Sequence, residues 1–78
     1  MRPVRVSVCG PEYYVYTLRE WLRYIGEVLE EWGIHAEAVY GVCDDVVIEV
    51  CGVAHRGLPD NEGVLLELIL NASAACGG

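Results

Sequence analysis

The first sixteen residues show a pattern typical of β-structure. Residues 4–8 read V-R-V-S-V, an alternation of apolar and polar side chains that matches the period of a half-buried strand. Gly10 and Pro11 then mark a turn. Residues 13–16 are three tyrosines and a valine, types that are enriched in strands. The pattern therefore predicts a β-hairpin at the start of the chain.

The strongest periodicity in the sequence predicts one main helix over residues 18–32. Its apolar side chains recur at spacings of three and four, which places them on one helical face, and charged residues cover the other. Thr17 and Glu20 fit a capping box at the helix start, and Gly33 suits a left-handed helix end. The apolar positions are Leu18, Trp21, Leu22, Ile25, Val28, Leu29 and Trp32.

The second half of the chain predicts further strands separated by turns. Residues 36–40 form a short candidate strand and residues 46–50 a better one, and turn-like sequence follows at residues 51–52 and 56–61. Residues 64–70 allow two interpretations. Alternating Val and Leu fit a central strand, whereas the Leu and Ala content fits a helix, and composition does not decide between them.

Composition narrows the class of protein. The chain has 78 residues, of which 54% are hydrophobic, and this length predicts one domain over residues 1–78. A net charge of −7 argues against a nucleic-acid partner, because phosphate binding depends on Lys and Arg. No apolar run of about 20 residues predicts a membrane span, and the first residues lack a signal-peptide pattern. We therefore expect a cytoplasmic protein with neither nucleic-acid nor membrane partners.

Four cysteines, Cys9, Cys43, Cys51 and Cys76, are the residues with the most evident chemistry. They allow three disulfide pairings, which spacing alone does not resolve. They contain no C-x-x-C pair, and their spacing matches no zinc ribbon or finger. A reducing cytosol normally keeps thiols free, although hyperthermophiles are an exception. The sequence thus favours structural or free thiols over metal ligands.

The order of these motifs resembles the ubiquitin-like sulfur-carrier proteins of thiamin and molybdopterin synthesis. A predicted hairpin is followed by a helix that opens T-L-R-E-W-L at residues 17–22, a strand that ends V-C-G at residues 50–52, an acidic turn near residues 59–63, and a terminal Gly-Gly. This resemblance implies an α+β fold of the β-grasp (ubiquitin-like) type, with a mixed sheet packed on the main helix at residues 18–32. The first and last strands would pair in parallel at its centre.

The resemblance also implies a function for the C-terminal tail. A partner adenylating enzyme, using ATP and magnesium, would activate the carboxylate of Gly78, which would then become a thiocarboxylate and serve a sulfur-accepting synthase. Gly77 and Gly78 lack Cβ atoms and could thread through a narrow channel of that partner. Cys76 would be an accessory thiol. The protein would be a substrate with no catalysis of its own, no metal site and no permanently bound cofactor.

A rival resemblance begins at the predicted first strand, which ends in Cys9 and Gly10 before a long helix. This order resembles the small thioredoxin-like Rdx proteins related to selenoprotein W. It implies that Cys9 is an attacking thiolate whose pKa is lowered by a helix N-terminus. The second redox position of that family falls at Glu12, so Cys9 would act alone or pair with Cys51.

A third hypothesis is a non-catalytic ubiquitin-like interaction module that uses the tyrosines of residues 13–16 as an aromatic surface. Secondary structure distinguishes the sulfur-carrier hypothesis from the Rdx-like hypothesis. Strands at residues 11–16 and 64–70 favour the sulfur carrier, whereas a helix in the latter span favours the thioredoxin-like fold.

Overall fold

The chain forms a four-stranded mixed sheet and two helices in a computed structural model, which describes residues 3–75. The strand order in the sheet is β2-β1-β3-β4, and no helix of the described residues is long and apolar enough to cross a membrane. The elements are β1 (Val4–Gly10), α1 (Glu12–Glu31), β2 (Ala36–Val42), β3 (Val47–Val50), β4 (Val53–Arg56) and α2 (Glu62–Ser73).

The sheet combines one parallel and two antiparallel pairings. Strand β1 lies at its centre, parallel to β2 and antiparallel to β3, and β3 pairs antiparallel with β4. Parallel neighbours need a long crossover, since the chain must return to the same end of the sheet. Helix α1 is that crossover: its 20 residues span about 30 Å, enough to return along the seven residues of β1.

Helix α1 begins earlier than the sequence predicts, so the N-terminal hairpin prediction is wrong. Pro11 is the N-cap residue, and the helix starts at Glu12 and includes residues 13–16. The Thr17 hydroxyl donates a hydrogen bond to the Tyr13 carbonyl at 3.2 Å within the helix, so it does not form the predicted capping box. The crossover geometry thus overrides the strand propensity of the tyrosines.

The remainder of the main helix agrees with its prediction. Gly33 has φ +78°, its N–H donates to the Glu30 carbonyl, and the Ile34 N–H donates to the Leu29 carbonyl. These two bonds form a Schellman ending, which confirms Gly33 as the left-handed residue after the helix. The predicted apolar face is confirmed in its centre by four buried side chains and is more exposed at Trp32. The buried ones are Leu18, Leu22, Ile25 and Leu29.

Strand β4 and the hairpin that it forms with β3 are absent from the sequence-based prediction. The two turn residues, Cys51 and Gly52, both have positive φ, +50° and +87°. Such values at both central positions belong to a type I′ turn, where Asn-Gly is the usual pair. The cysteine in place of asparagine weakened the hairpin signal, so residues 53–56 were not predicted as a strand.

The segment of residues 64–70 is helical, so its prediction as the last strand is wrong. It lies within α2, whose buried residues are Leu65, Ile69 and Ala72, at spacings of four and three. The side-chain oxygen of Asn61 accepts a hydrogen bond from the Val64 N–H at 3.0 Å and caps the helix start. An almost continuous apolar run fits the period of a strand as well as that of a helix, and packing against the core selected the helix.

The structure confirms the α+β class with a mixed sheet but not the β-grasp arrangement. The parallel partner of β1 is β2, and no strand follows β4 in the described residues. One apolar layer lies between the sheet and the helices. Besides the buried residues of the helices, it contains Val4, Val6, Val8, Ile48 and Val50, all on the same face of β1 and β3.

The Asn61 cap should contribute measurably to stability. We expect Asn61→Ala to lower the free energy of unfolding by about 1 kcal/mol, because the first amides of α2 lose their side-chain acceptor. Asn61→Asp keeps an acceptor and should retain most of the stability. Urea denaturation followed by circular dichroism measures both, and equal losses in the two variants would contradict a capping role.

Candidate functional site

The most prominent chemical feature of the structure is a disulfide between Cys9 and Cys43. Cys9 is the penultimate residue of β1, and Cys43 directly follows β2. Both residues are half-buried, so neither is sealed in the core. The disulfide therefore lies at the carboxyl ends of the two parallel strands, the edge of an open sheet where α/β proteins usually hold their ligands.

The parallel register explains how two cysteines 34 positions apart come together. Cys9 is opposite Gly41, Gly10 is opposite Val42, and the Cys43 N–H donates a hydrogen bond to the Gly10 carbonyl at 3.0 Å. The Cα atoms of the two cysteines are 5.7 Å apart, a separation that a disulfide bridges without backbone movement. The pairing of β1 with β2 thus brings the two sulfurs together, and the disulfide adds a covalent link between the ends of these strands.

Helix α1 begins next to this disulfide. Cys9 lies two residues before Pro11, and no side chain caps the helix start. The first amides of a helix have no acceptor within the helix, and its N-terminal end stabilises negative charge. Glu12 opposes this effect, since its exposed carboxylate lies in the first turn. For a negative charge at Cys9, the dipole of α1 is therefore favourable, and the solvent-screened charge of Glu12 is unfavourable.

Gly10 is buried, and Val46, the residue before β3, lies close to it. A Cβ atom at this position would lie 3.1 Å from Val46 Cγ2 and 3.3 Å from Val46 Cα. These distances are shorter than ordinary van der Waals contacts, and one of the atoms belongs to the backbone. The glycine next to Cys9 therefore lets the chain pass from β1 into α1 directly against the start of β3.

A cleft lies between the start of α1, the residues just before β3 and the end of β4, and neither cysteine of the disulfide lines it. Its volume is about 500 Å³, and it is lined by Pro11 and Tyr14, by residues 44–46 and by residues 56–58. The Tyr13 and Tyr14 rings are in contact, with centroids 4.2 Å apart. A hydrogen bond to Tyr14, with smaller effects of desolvation and of the Tyr14 charge, raises the pKa of Tyr13 above its usual value of 10.0.

A second, smaller arrangement of aromatic and charged groups lies between α1 and β2. The Arg19 guanidinium is 5.9 Å from the centre of the Tyr40 ring, within the range of a cation–π contact. Burial raises the pKa of the Tyr40 phenol, and the charge of Arg19 partly opposes that rise. The contact joins a side chain of α1 to a side chain of β2.

The predicted site residues fall into three groups. Cys9 is at the disulfide, but its partner is Cys43, so the predicted pair of Cys9 with Cys51 is wrong: Cys51 belongs to the turn between β3 and β4. Cys76, Gly77 and Gly78 lie outside the described residues. Within residues 3–75, no group of three or more acidic, His or Cys side chains could hold a metal ion.

The sequence analysis did not identify Cys43 as the partner of Cys9. The signal that could have found it was the topology. Once residues 11–16 are assigned to a crossover helix, β1 and the strand at residues 36–42 become parallel neighbours, and a cysteine at the end of each falls at the same edge. The predicted hairpin hid this relation because it gave β1 a different neighbour.

The close approach at Gly10 makes a specific prediction about stability. We expect Gly10→Ala to lower the free energy of unfolding by about 1 kcal/mol, because the new methyl group presses on the Val46 backbone. Gly41, opposite Cys9, has open space around it and is the matched control. Gly41→Ala should be neutral or stabilising by about 0.5 kcal/mol, and denaturant titration of both variants would contradict the contact if they changed alike.

Comparisons with known proteins identify no relative: no protein-family model, no curated protein sequence and no solved structure matches this chain.

Proposed function

We propose that this protein exchanges thiols and disulfides through the Cys9 and Cys43 pair. The observation that carries the proposal is the position of their disulfide: half-buried, at the carboxyl ends of two parallel strands and beside the start of α1. A disulfide that serves only to link two segments does not need a helix start beside it. The start of α1 near Cys9 therefore supports the Rdx-like alternative over a purely structural crosslink.

The electrons and atoms of the proposed reaction balance within the pair. In the reduced protein, the Cys9 thiolate attacks one sulfur of a substrate disulfide and expels the other as a thiolate. The Cys43 thiol loses its proton and attacks Cys9 Sγ, which closes the Cys9–Cys43 bond and releases the second substrate thiol. Two electrons and two protons pass to the substrate, and a dithiol reductant returns them through the reverse steps.

Cys9 is assigned the attacking role because of its position relative to α1. It precedes the helix start by two residues, and the uncapped N-terminal amides favour an anion there. Cys43 follows a strand and its backbone is held by the Gly10 carbonyl, so it is placed to resolve the mixed disulfide. The same strand register serves both roles, since it keeps the two cysteines within bonding distance in either redox state.

The sulfur carrier and the interaction module stay predictions without a supporting contact. The carrier depends on Gly77 and Gly78, which lie outside the described residues. Its fold also needs strands at residues 13–16 and 64–70, and both segments are helical. The tyrosines proposed for the interaction module lie on α1, where Tyr13 and Tyr16 are exposed. No described feature favours either of them over exchange at Cys9 and Cys43.

Trapping experiments test the exchange proposal. We expect Cys43→Ser to accumulate a mixed disulfide at Cys9 with a substrate disulfide, because the resolving thiol is missing, whereas Cys9→Ser should form none at Cys43 on the same timescale. Mass spectrometry of acid-quenched, alkylated protein identifies the modified residue. The wild-type protein should instead close the Cys9–Cys43 bond and release both substrate thiols.

The matched control is the double variant Cys51→Ser/Cys76→Ser, which keeps only the proposed pair and should retain exchange. Loss of exchange in this control, or its persistence in Cys9→Ser, would contradict the assignment. A purely structural disulfide has a different signature. In that case reduction would lower stability by about 4 kcal/mol, the estimate for a loop closed by a sequence separation of 34, and the substrate disulfide would remain intact.

A further inference from the structure

We infer that the free edge of β2 binds β2 of a second copy of this chain. The two strands pair antiparallel with Val39 on a two-fold axis, and the two four-stranded sheets become one continuous sheet. This inference concerns the assembly of the protein and does not depend on the exchange function proposed above.

Strand β2 has an open and apolar edge. It lies at one end of the strand order, with β1 on one side and no strand of residues 3–75 on the other. Five of its seven residues are exposed, among them Val39 at 67% and Val42 at 71%. Proteins usually protect such an edge with charges or proline, but β2 has one charged residue, Glu37, and no proline. The edge is therefore suited to pairing with another strand.

The backbone of β2 presents alternate residues to this edge. The His35 carbonyl accepts a hydrogen bond from the Val4 N–H at 2.8 Å, and the Cys43 N–H donates to the Gly10 carbonyl at 3.0 Å. Odd-numbered residues of this segment therefore direct their N–H and C=O groups toward β1. Because these groups alternate in direction along a strand, those of the even-numbered residues point away from β1. The residues with outward backbone groups are Ala36, Ala38, Tyr40 and Val42.

One antiparallel register pairs all four of these residues. In it, Val39 lies opposite Val39 of the second copy. Ala38 then pairs with Tyr40 of the second copy, and each of these pairs exchanges two hydrogen bonds. Ala36 pairs with Val42 in the same way. A small side chain meets a large one in every hydrogen-bonded pair, so the register fits both the backbone and the side chains.

The same register avoids opposed charges. Glu37 falls opposite Gly41 of the second copy, where it meets no side chain. An axis at residue 37 would instead place the two Glu37 carboxylates directly opposite each other, which is destabilising. The position of the axis at Val39 therefore follows from charge as well as from hydrogen bonding.

The surroundings of β2 are balanced in charge, unlike the chain as a whole. The net charge of −7 opposes the association of two copies. Two clefts flank β2, one toward α1 and one on the open face of the sheet, and the charged residues that line them are equal numbers of bases and acids. These residues are Arg5, Arg19, Arg23, Glu20, Glu37 and Glu49. Repulsion between copies at this edge is therefore weaker than the net charge implies.

The opposite edge of the sheet is less suited to this pairing. Strand β4 has four residues, and two of them are His55 and Arg56. Short edge strands and charged side chains are two of the ways in which proteins prevent edge-to-edge pairing. A second copy therefore gains more backbone hydrogen bonds at β2 than at β4.

Substitutions at the two edges test where the second copy binds. Val39→Lys places two like charges at the axis and leaves the core unchanged, because Val39 is exposed. Val53→Lys is the matched control, since Val53 is an exposed valine of β4. We expect the wild-type protein to sediment as a dimer of about 17 kDa, twice the mass of the 8.6 kDa chain. The dissociation constant should rise about tenfold or more in Val39→Lys and stay unchanged in Val53→Lys.

Cysteine crosslinking tests the register. The background is Cys51→Ser/Cys76→Ser, which keeps the disulfide described above. Val39→Cys should form an interchain disulfide under mild oxidation, because opposite Cα atoms of a non-hydrogen-bonded antiparallel pair are about 4.5 Å apart. Gly41→Cys lies on the same face of β2 but about 13 Å along the strand from its counterpart, so it should crosslink at least about tenfold more slowly. Peptide mass mapping identifies the bond that forms.

Three outcomes would overturn the inference. The first is a wild-type protein that remains monomeric at about 0.1 mM, where a dimer with a micromolar dissociation constant is mostly assembled. The second is a dimer that Val53→Lys dissociates as much as Val39→Lys does, which would place the second copy elsewhere. The third is equal crosslinking at positions 39 and 41, which would exclude this register. None of these results bears on the trapping experiments that test exchange at Cys9 and Cys43.

Discussion

The parallel pairing of β1 with β2 is the constraint on which the rest of the structure depends. Two parallel neighbours require the chain to travel the length of the sheet between them, and only a long helix packed on the sheet does this compactly. That requirement extends α1 to Glu12, directly after the β1 strand end. It also places the ends of both strands at one edge, where Cys9 meets Cys43.

The same pairing makes the core and the site interdependent. The side chains of β1 alternate, so that Val4, Val6 and Val8 pack beneath the helices, while Cys9 points to the other face of the sheet. A shift of one residue in register would bury the cysteine and expose the valines. Apolar burial therefore fixes the position of the sulfur as firmly as it fixes the sheet. The site needs no separate scaffold.

Backbone placement would carry most of the proposed exchange chemistry. Strand register brings the two cysteines within bonding distance. In the proposed reaction, the nearby helix start would favour the Cys9 thiolate. Reactivity would then depend on the sheet topology more than on particular side chains around the disulfide.

The sequence by itself determined the features that depend on local periodicity. The apolar face of α1, its end at Gly33, the first strand and the approximate positions of β2 and β3 all follow from side-chain spacing and glycine conformation. These features are local, because a helix face or a left-handed helix end needs only a few adjacent residues.

Only the tertiary structure decided residues 13–16, residues 64–70 and the partner of Cys9. Tyrosines and valine fit a strand or a helix face, and an almost continuous apolar run satisfies both periods, so the choice came from packing against β1 and β3. Cys43 meets Cys9 because parallel strands end at the same edge. That relation is a property of topology, and no short stretch of sequence contains it.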